Sequence, residues 1–301
     1  MRAPISLRLR SLICRSVIAG LTVLSLTACQ SASGPTEVLQ IPSVTALAAT
    51  EPPSRILSGE VEKRAPAAIV IDAATGRVLY AEEADALRYP ASLSKLMTLY
   101  LTFEQIQAGR LSLDDDLLVS AEAASKPPAK LGLTAGSTIR VRDAIQALAV
   151  KSANDVASVI AENLAGSDEA FARAMTAKAK ALGMSRTNFV NPSGLPDPRQ
   201  ISTARDIALL ARAVRSHFPQ FTPLFAESGF DYGGKHYKAT NHLLGKVPGV
   251  DGMKTGYIRD SGFHLVATCR RGSKRVIVVV LGGKTARARD EEVVALIDRY
   301  L

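Results

Sequence analysis

Pro90-Ala91-Ser92-Leu93-Ser94-Lys95-Leu96-Met97-Thr98 reads as the start of a helix. Pro90 suits a helix entry, and apolar residues then recur at helical spacing: Leu93, Leu96, Met97, Tyr100, Leu101 and Phe103, to about Ile106. Residues i and i+3 share a helix face, so the Lys95 amine can approach the Ser92 hydroxyl. Negative charge developing on Ser92 is favoured at a helix N-terminus. Ser92 is then a candidate nucleophile and Lys95 its candidate base. The bland reading is a serine N-cap, a position that serine favours. Ser-x-x-Lys alone does not decide between them, since about one match is expected by chance in a chain of this length.

Two further triplets follow in order. Ser152-Ala153-Asn154 falls between helical stretches, where either polar residue can serve as a cap. Lys254-Thr255-Gly256 follows Val250-Asp251-Gly252-Met253, and Gly256 suits close approach of a ligand to a strand edge. Ahead of Ser92, Ala67 to Asp72 is a strand candidate, Ala74-Thr75-Gly76 a turn, and Arg77 to Tyr80 its antiparallel partner. Helical patterns cover Val141–Ala149, Asp155–Leu164, Asp168–Leu182 and Thr203–Ser216. Phe263–Arg270 and Val276–Leu281 flank Arg271-Gly272-Ser273-Lys274 as a hairpin, and a last helix spans about Arg289–Tyr300. Strands from both chain ends around a helical middle predict an α+β fold with an antiparallel sheet.

The 301 residues, 47% of them hydrophobic, suffice for one large core with extensions. Arg2, Arg8, Arg10 and Arg15 precede an uncharged run from Val17 to Ala28, too short to span a membrane and suited to a signal peptide over residues 1–28. Its removal takes four positive charges from the formal +9. No basic stripe or aromatic platform accompanies the remaining charge, which argues against a nucleic-acid partner. Leu26-Thr27-Ala28-Cys29 resembles the lipobox of bacterial lipoproteins, in which the cysteine carries the lipid. Cleavage by ordinary signal peptidase, with Cys29 incidental, is the alternative. Residues 29–65, rich in Ser, Thr, Ala and Pro, read as a tether reaching roughly 30–35 Å as flexible coil. Cys269 is then the single cysteine of the folded part, in a strand-like stretch, and no intramolecular disulfide is expected. His217, His236, His242 and His264 lack zinc-ligand spacing, and no metal or organic cofactor is implied.

The three triplets have wider contexts: Lys151-Ser152-Ala153-Asn154-Asp155, Ser202-Thr203-Ala204-Arg205-Asp206, Val250 to Tyr257, and Leu281-Gly282-Gly283-Lys284-Thr285-Ala286-Arg287-Ala288-Arg289. With the segment at Ser92, this ordered set resembles the serine D-alanyl-D-alanine carboxypeptidases, the low-molecular-mass penicillin-binding proteins, over residues 66–301. The resemblance implies a β-lactamase/transpeptidase-like fold and removal of the terminal D-Ala from peptidoglycan stem peptides. Ser92 then forms the acyl-enzyme, Lys95 is its base, and Ser152 relays a proton to the leaving amine. Asn154 holds the substrate amide and Lys254 keeps the local potential positive, favouring neutral Lys95. Thr255 and Arg289 bind the terminal carboxylate, though Arg289 also reads as a surface charge at a helix start. The backbone N–H groups of Ser92 and Tyr257 form an oxyanion hole. β-Lactams, which mimic the substrate end, are the expected inhibitors.

Three positions depart from the family pattern. Ala153 and His264 stand where glycine and asparagine are usual, and His242 lies where polar residues vary. The chain stops about 45 residues after Gly256, so the C-terminal β domain of many relatives is expected to be absent, with a lipid on Cys29 replacing the anchor. The rival activities are a DD-endopeptidase cutting crosslinks, a class A β-lactamase, and a wall-binding or penicillin-sensing module without turnover. The lactamase lacks support, because no Glu-x-x-Leu-Asn loop occurs and the Asn191–Gln200 loop carries only Asp197.

Overall fold

A computed structural model describes residues 61–301; the expected signal peptide, Cys29 and most of the expected tether lie outside them. Strand β1 (Ala67–Asp72) pairs antiparallel with β2 (Val78–Glu82). A 3₁₀ turn, Ala91–Ser94, runs into helix α1 (Lys95–Gln107). The helical half continues through β3 (Asp116–Leu118), α2 (Ala121–Ser125), β4 (Thr138–Arg140), α3 (Val141–Gln146), α4 (Asn154–Ala165), α5 (Asp168–Ala181) and α6 (Ala204–His217). The small hairpin of β5 (Gly229–Tyr232) and β6 (Lys235–Lys238) follows. Strands β7 (Val250–Ile258), β8 (Gly262–Arg271) and β9 (Lys274–Gly283) complete the sheet, and α7 (Ala286–Tyr300) ends the chain.

The main sheet is antiparallel in the order β2-β1-β9-β8-β7, so both chain ends build it as expected. Period-two alternation feeds two cores. Ile69, Ile71, Ile277, Val279 and Leu281 face the large core of the helical half. Ala68, Val70, Val276, Val278 and Val280 face α7, through Val293, Leu296 and Ile297. Strand β9 is thus covered on both sides, which is why Val276 to Leu281 is continuously apolar. Each fully buried valine or isoleucine contributes about 1.5–3 kcal/mol. Helix α1 is buried nearly all round, from Lys95 to Phe103. A helix so enclosed has no solvent stripe, and its hydroxyls turn to backbone: Thr98 Oγ1 donates to Pro192 O and Thr102 Oγ1 to Thr98 O.

Several boundaries differ from expectation for local reasons. Helix α7 begins at Ala286, three residues before Arg289, because Thr285 Oγ1 caps it by accepting from Ala288 N. The helix expected to Ala149 ends at Gln146 and widens into a π-turn, Ala147–Lys151, which closes on Ser152 in the left-handed region at φ 65°. Arg77 belongs to the turn, its carbonyl accepting from Asp72 N, so β2 starts one residue later. Residues 63–65, just ahead of β1, pack against the domain. Arg64 N donates to Asp260 O, Lys63 pairs with Asp260 at 2.8 Å, and Ala65 is buried under Arg88. Among the described residues no helix is long and apolar enough to cross a membrane, and no group of three or more His, Cys, Asp or Glu is arranged to hold a metal.

Candidate active site

The 3₁₀ turn sets Ser92 half-buried at the head of α1, one turn from Lys95. Ser92 is inside the turn, so the N-cap reading fails; Pro90 precedes the turn. Lys95 is completely buried. Its Nζ lies 3.2 Å from Ser92 Oγ, 2.7 Å from Asn154 Oδ1 and 2.6 Å from Ser193 O. Burial pushes the Lys95 amine well below the ordinary lysine range, and the Lys254 charge pushes it the same way, against an opposing pull from Asp155. A neutral amine has two N–H donors and one lone pair. Two carbonyl oxygens occupy the donors, which leaves the lone pair for the Ser92 hydroxyl.

The two ends of the Asn154 amide are both engaged, Oδ1 by Lys95 and Nδ2 by Pro127 O at 2.9 Å. In this arrangement the Asn154 side chain holds Lys95. Ser152 Oγ is buried and has no hydrogen-bond partner among the described residues. The left-handed Ser152 joins the π-turn to α4, an arrangement common at functional sites. Asp155 secures the facing loop, its carboxylate accepting from the N–H groups of Leu131, Gly132 and Leu133.

Strand β7, at the sheet edge, forms the other side. Lys254 is buried, and desolvation pushes its pKa down to about 7. Its Nζ donates to Thr255 O at 3.1 Å. Thr255 Oγ1 donates to Thr240 Oγ1 at 2.7 Å. At Gly256 a Cβ would meet Pro90 O and Leu93 Cγ at 3.3 Å and Ala91 Cβ at 3.4 Å. Its missing side chain makes room for the turn that carries Ser92. Tyr257 is 49% exposed, and its ring leans on Phe263 with centroids 4.4 Å apart. Arg289 is 2% exposed, which removes the surface-charge reading. Its Nε donates to Asp290 at 2.7 Å and its Nη1 to His264 O at 2.5 Å; His264 is the register partner of Gly256.

The spacing of motifs gave no sign of the Asn191–Gln200 loop's part in the site. Ser193 supplies the carbonyl under Lys95, and Pro192 O anchors Thr98 one turn further along α1. Asn191 Oδ1 accepts from Gly194 N at 2.7 Å and Leu195 N at 3.1 Å, while Gln200 Nε2 donates to Ser94 Oγ. Gly194 has φ 82°, and a Cβ there lies 1.8 Å from Ala91 O, so only glycine fits. The one legible hint was the turn-forming Asn191-Pro192-Ser193-Gly194 itself.

A serine and a buried lysine on one helix face, flanked by Ser152 and by an edge strand carrying Lys254, define an acyl-transfer constellation of the penicillin-binding class. Penicillin-Binding Protein D2 from Listeria monocytogenes, solved in its ampicillin-bound form, shares this fold with a TM-score of 0.68 at 34% identity, over 80% of this chain and 98% of that one. The family model described as D-alanyl-D-alanine carboxypeptidase matches residues 50–285, and the chain belongs to that family. The D-alanyl-D-alanine carboxypeptidases DacF of Bacillus subtilis and DacC of Escherichia coli are 33% and 38% identical to it, over 80% and 74% of this chain. The chain spans 63% and 58% of their lengths. A D-alanyl-D-alanine endopeptidase of Pseudomonas aeruginosa is 32% identical over 84% of this chain and 83% of its own length.

Proposed function

We propose that the protein is a serine DD-carboxypeptidase that removes the terminal D-Ala from peptidoglycan stem peptides through an acyl-enzyme on Ser92. The observation that carries this reading is the Lys95 amine, buried and held by Asn154 Oδ1 and Ser193 O at 3.2 Å from Ser92 Oγ. Neutral Lys95 takes the Ser92 proton as Oγ attacks the penultimate carbonyl. The backbone N–H groups of Ser92 and Tyr257 receive the oxyanion, and Ser152 passes a proton to the departing D-Ala amine. Lys254, Thr255 and Arg289 supply the positive end that meets the substrate carboxylate. Water then hydrolyses the ester, and no metal or cofactor enters these steps. β-Lactams present the same carboxylate and carbonyl and acylate Ser92.

A second reading, a DD-endopeptidase using the same groups on crosslinks, is favoured by the Pseudomonas relative, whose length this chain nearly spans. Both readings place the protein in the cell envelope. Residues 1–28 act as the signal and Cys29 carries a lipid that holds the 66–301 catalytic domain to a membrane.

The test is to label the purified protein with fluorescent penicillin, then to assay D-Ala release from a pentapeptide and cleavage of a crosslinked dimer. Wild type labels and Ser92→Ala does not; equal labelling of both defeats the assignment. D-Ala release without dimer cleavage supports the carboxypeptidase, and the reverse supports the endopeptidase. Cys29→Ser is expected to free the protein from membranes, and unchanged association rules out the lipid anchor.

A further inference from the structure

His264 is completely buried on β8, directly paired in register with Gly256 on β7. Its Nδ1 accepts from Gly282 N at 3.0 Å, on the end of β9. A backbone N–H can only donate, so Nδ1 carries no proton and Nε2 does. Nε2 then donates to Tyr89 O at 2.9 Å. Tyr89 is three residues before Ser92, and the chain between them has little freedom. Pro90 is rigid, its carbonyl accepts from Leu93 N, and Ala91 sits in the left-handed region at φ 48°. Gly256 and Gly194 press on that same turn from the strand and the loop.

Resting on the serine acyl-transfer reading above, we propose that His264, as the neutral Nε2–H tautomer, is a positioning residue that pins the Tyr89 carbonyl to the sheet and so sets Ser92 for attack. A carboxamide offers the same pairing of one acceptor with one donor, so asparagine is the conservative replacement. Protonation makes Nδ1 a second donor facing the Gly282 N–H and breaks the pin. The charged groups acting on the imidazole are Arg88, ahead of the turn, and Arg289, on α7, the latter paired with Asp290; both arginines oppose protonation. Burial is the larger influence and pushes the His264 pKa down to about 4.

The experiment measures single-turnover acylation by fluorescent penicillin from pH 3.5 to 8 for wild type, His264→Leu and His264→Asn, with the melting temperature of each. Wild type is expected to lose its acylation rate near pH 4. His264→Leu slows acylation about tenfold or more, with apparent penicillin affinity changed less than about threefold. His264→Asn returns to within about threefold of wild type and lacks the acid limb near pH 4. Wild-type acylation by His264→Leu overturns the proposal, as does survival of the inflection near pH 4 in His264→Asn, whose remaining limb is that of Lys95. If His264→Leu does not fold, His264→Asn and the pH profile decide alone. Imidazole ¹⁵N NMR of the wild type reads the tautomer without any activity. An Nδ1–H signal, or titration near the ordinary 6.5, defeats the pin even where labelling succeeds. Correct tautomer and titration in a protein that never labels keeps the pin and defeats the acyl-transfer reading instead.

Discussion

The two buried lysines of the site occupy contrasting regions. Lys95 sits on the central helix, caged by carbonyl oxygens from α4 and the 191–200 loop. Lys254 sits on an edge strand, where its amine has one carbonyl neighbour, from the next residue. Both are pushed below the ordinary lysine pKa by burial, Lys254 to about 7. The difference lies in direction. Fixed acceptors on two sides aim the Lys95 lone pair at Ser92, as proton transfer requires. A loosely coordinated Lys254 is suited to meeting an incoming anion. On the proposed mechanism, helical packing builds the base and the sheet edge builds the anion-binding side.

The largest effect expected from breaking this contrast is Lys95→Arg. Guanidinium does not deprotonate and does not fit the cage, so penicillin acylation is expected to fall by about 10³-fold or more in stopped-flow labelling. Retention of the rate shows that Lys95 is not the base. Gly194→Ala comes next, because the added methyl collides with Ala91 O at the nucleophile turn. It is expected to cut acylation about 10²-fold and lower Tm by several degrees, read by the same labelling and by calorimetry. Asn154→Asp keeps the acceptor but adds a negative charge beside Lys95, raising its pKa. The limb of the pH–rate profile set by Lys95, separate from the His264 inflection near pH 4, is expected to move up by at least one unit; an unmoved limb shows that Asn154 does not sense the base.

Lys254→Met sharpens the other side. Loss of the charge is expected to weaken penicillin affinity about tenfold, and stability moves oppositely. Lys254 takes its proton at about 7 in the folded state and near 10.5 unfolded, so the unfolded chain binds more protons between those values. Wild-type stability therefore rises with pH across that window, and below about 7 the full cost of the buried charge is present. Lys254→Met is expected to flatten that slope and raise Tm at pH 6 by a few degrees. A wild-type slope that persists in Lys254→Met assigns the titration to another group.

Much of this was legible because helical and strand periods are local. The Ser92–Lys95 pairing needs one helical turn, and the apolar run Val276–Leu281 already marked one arm of a hairpin. Burial patterns were harder to read. Arg289 kept a second reading, a surface charge at a helix start, because nothing in its neighbours indicates that α7 folds onto β8. The grip of Asn154 on Lys95 was not legible because its two partners, Lys95 and Pro127, are remote in sequence.

By itself the sequence determined which reactive groups the protein carries, their order, and the α+β arrangement that follows from two short periodicities. Tertiary structure alone decided which group serves which. The carbonyl of Ser193, 98 residues from Lys95, completes the cage. His264, 175 residues from Tyr89, holds the turn that presents Ser92. Backbone carbonyls have no side-chain signature, and only packing brings them within hydrogen-bond reach.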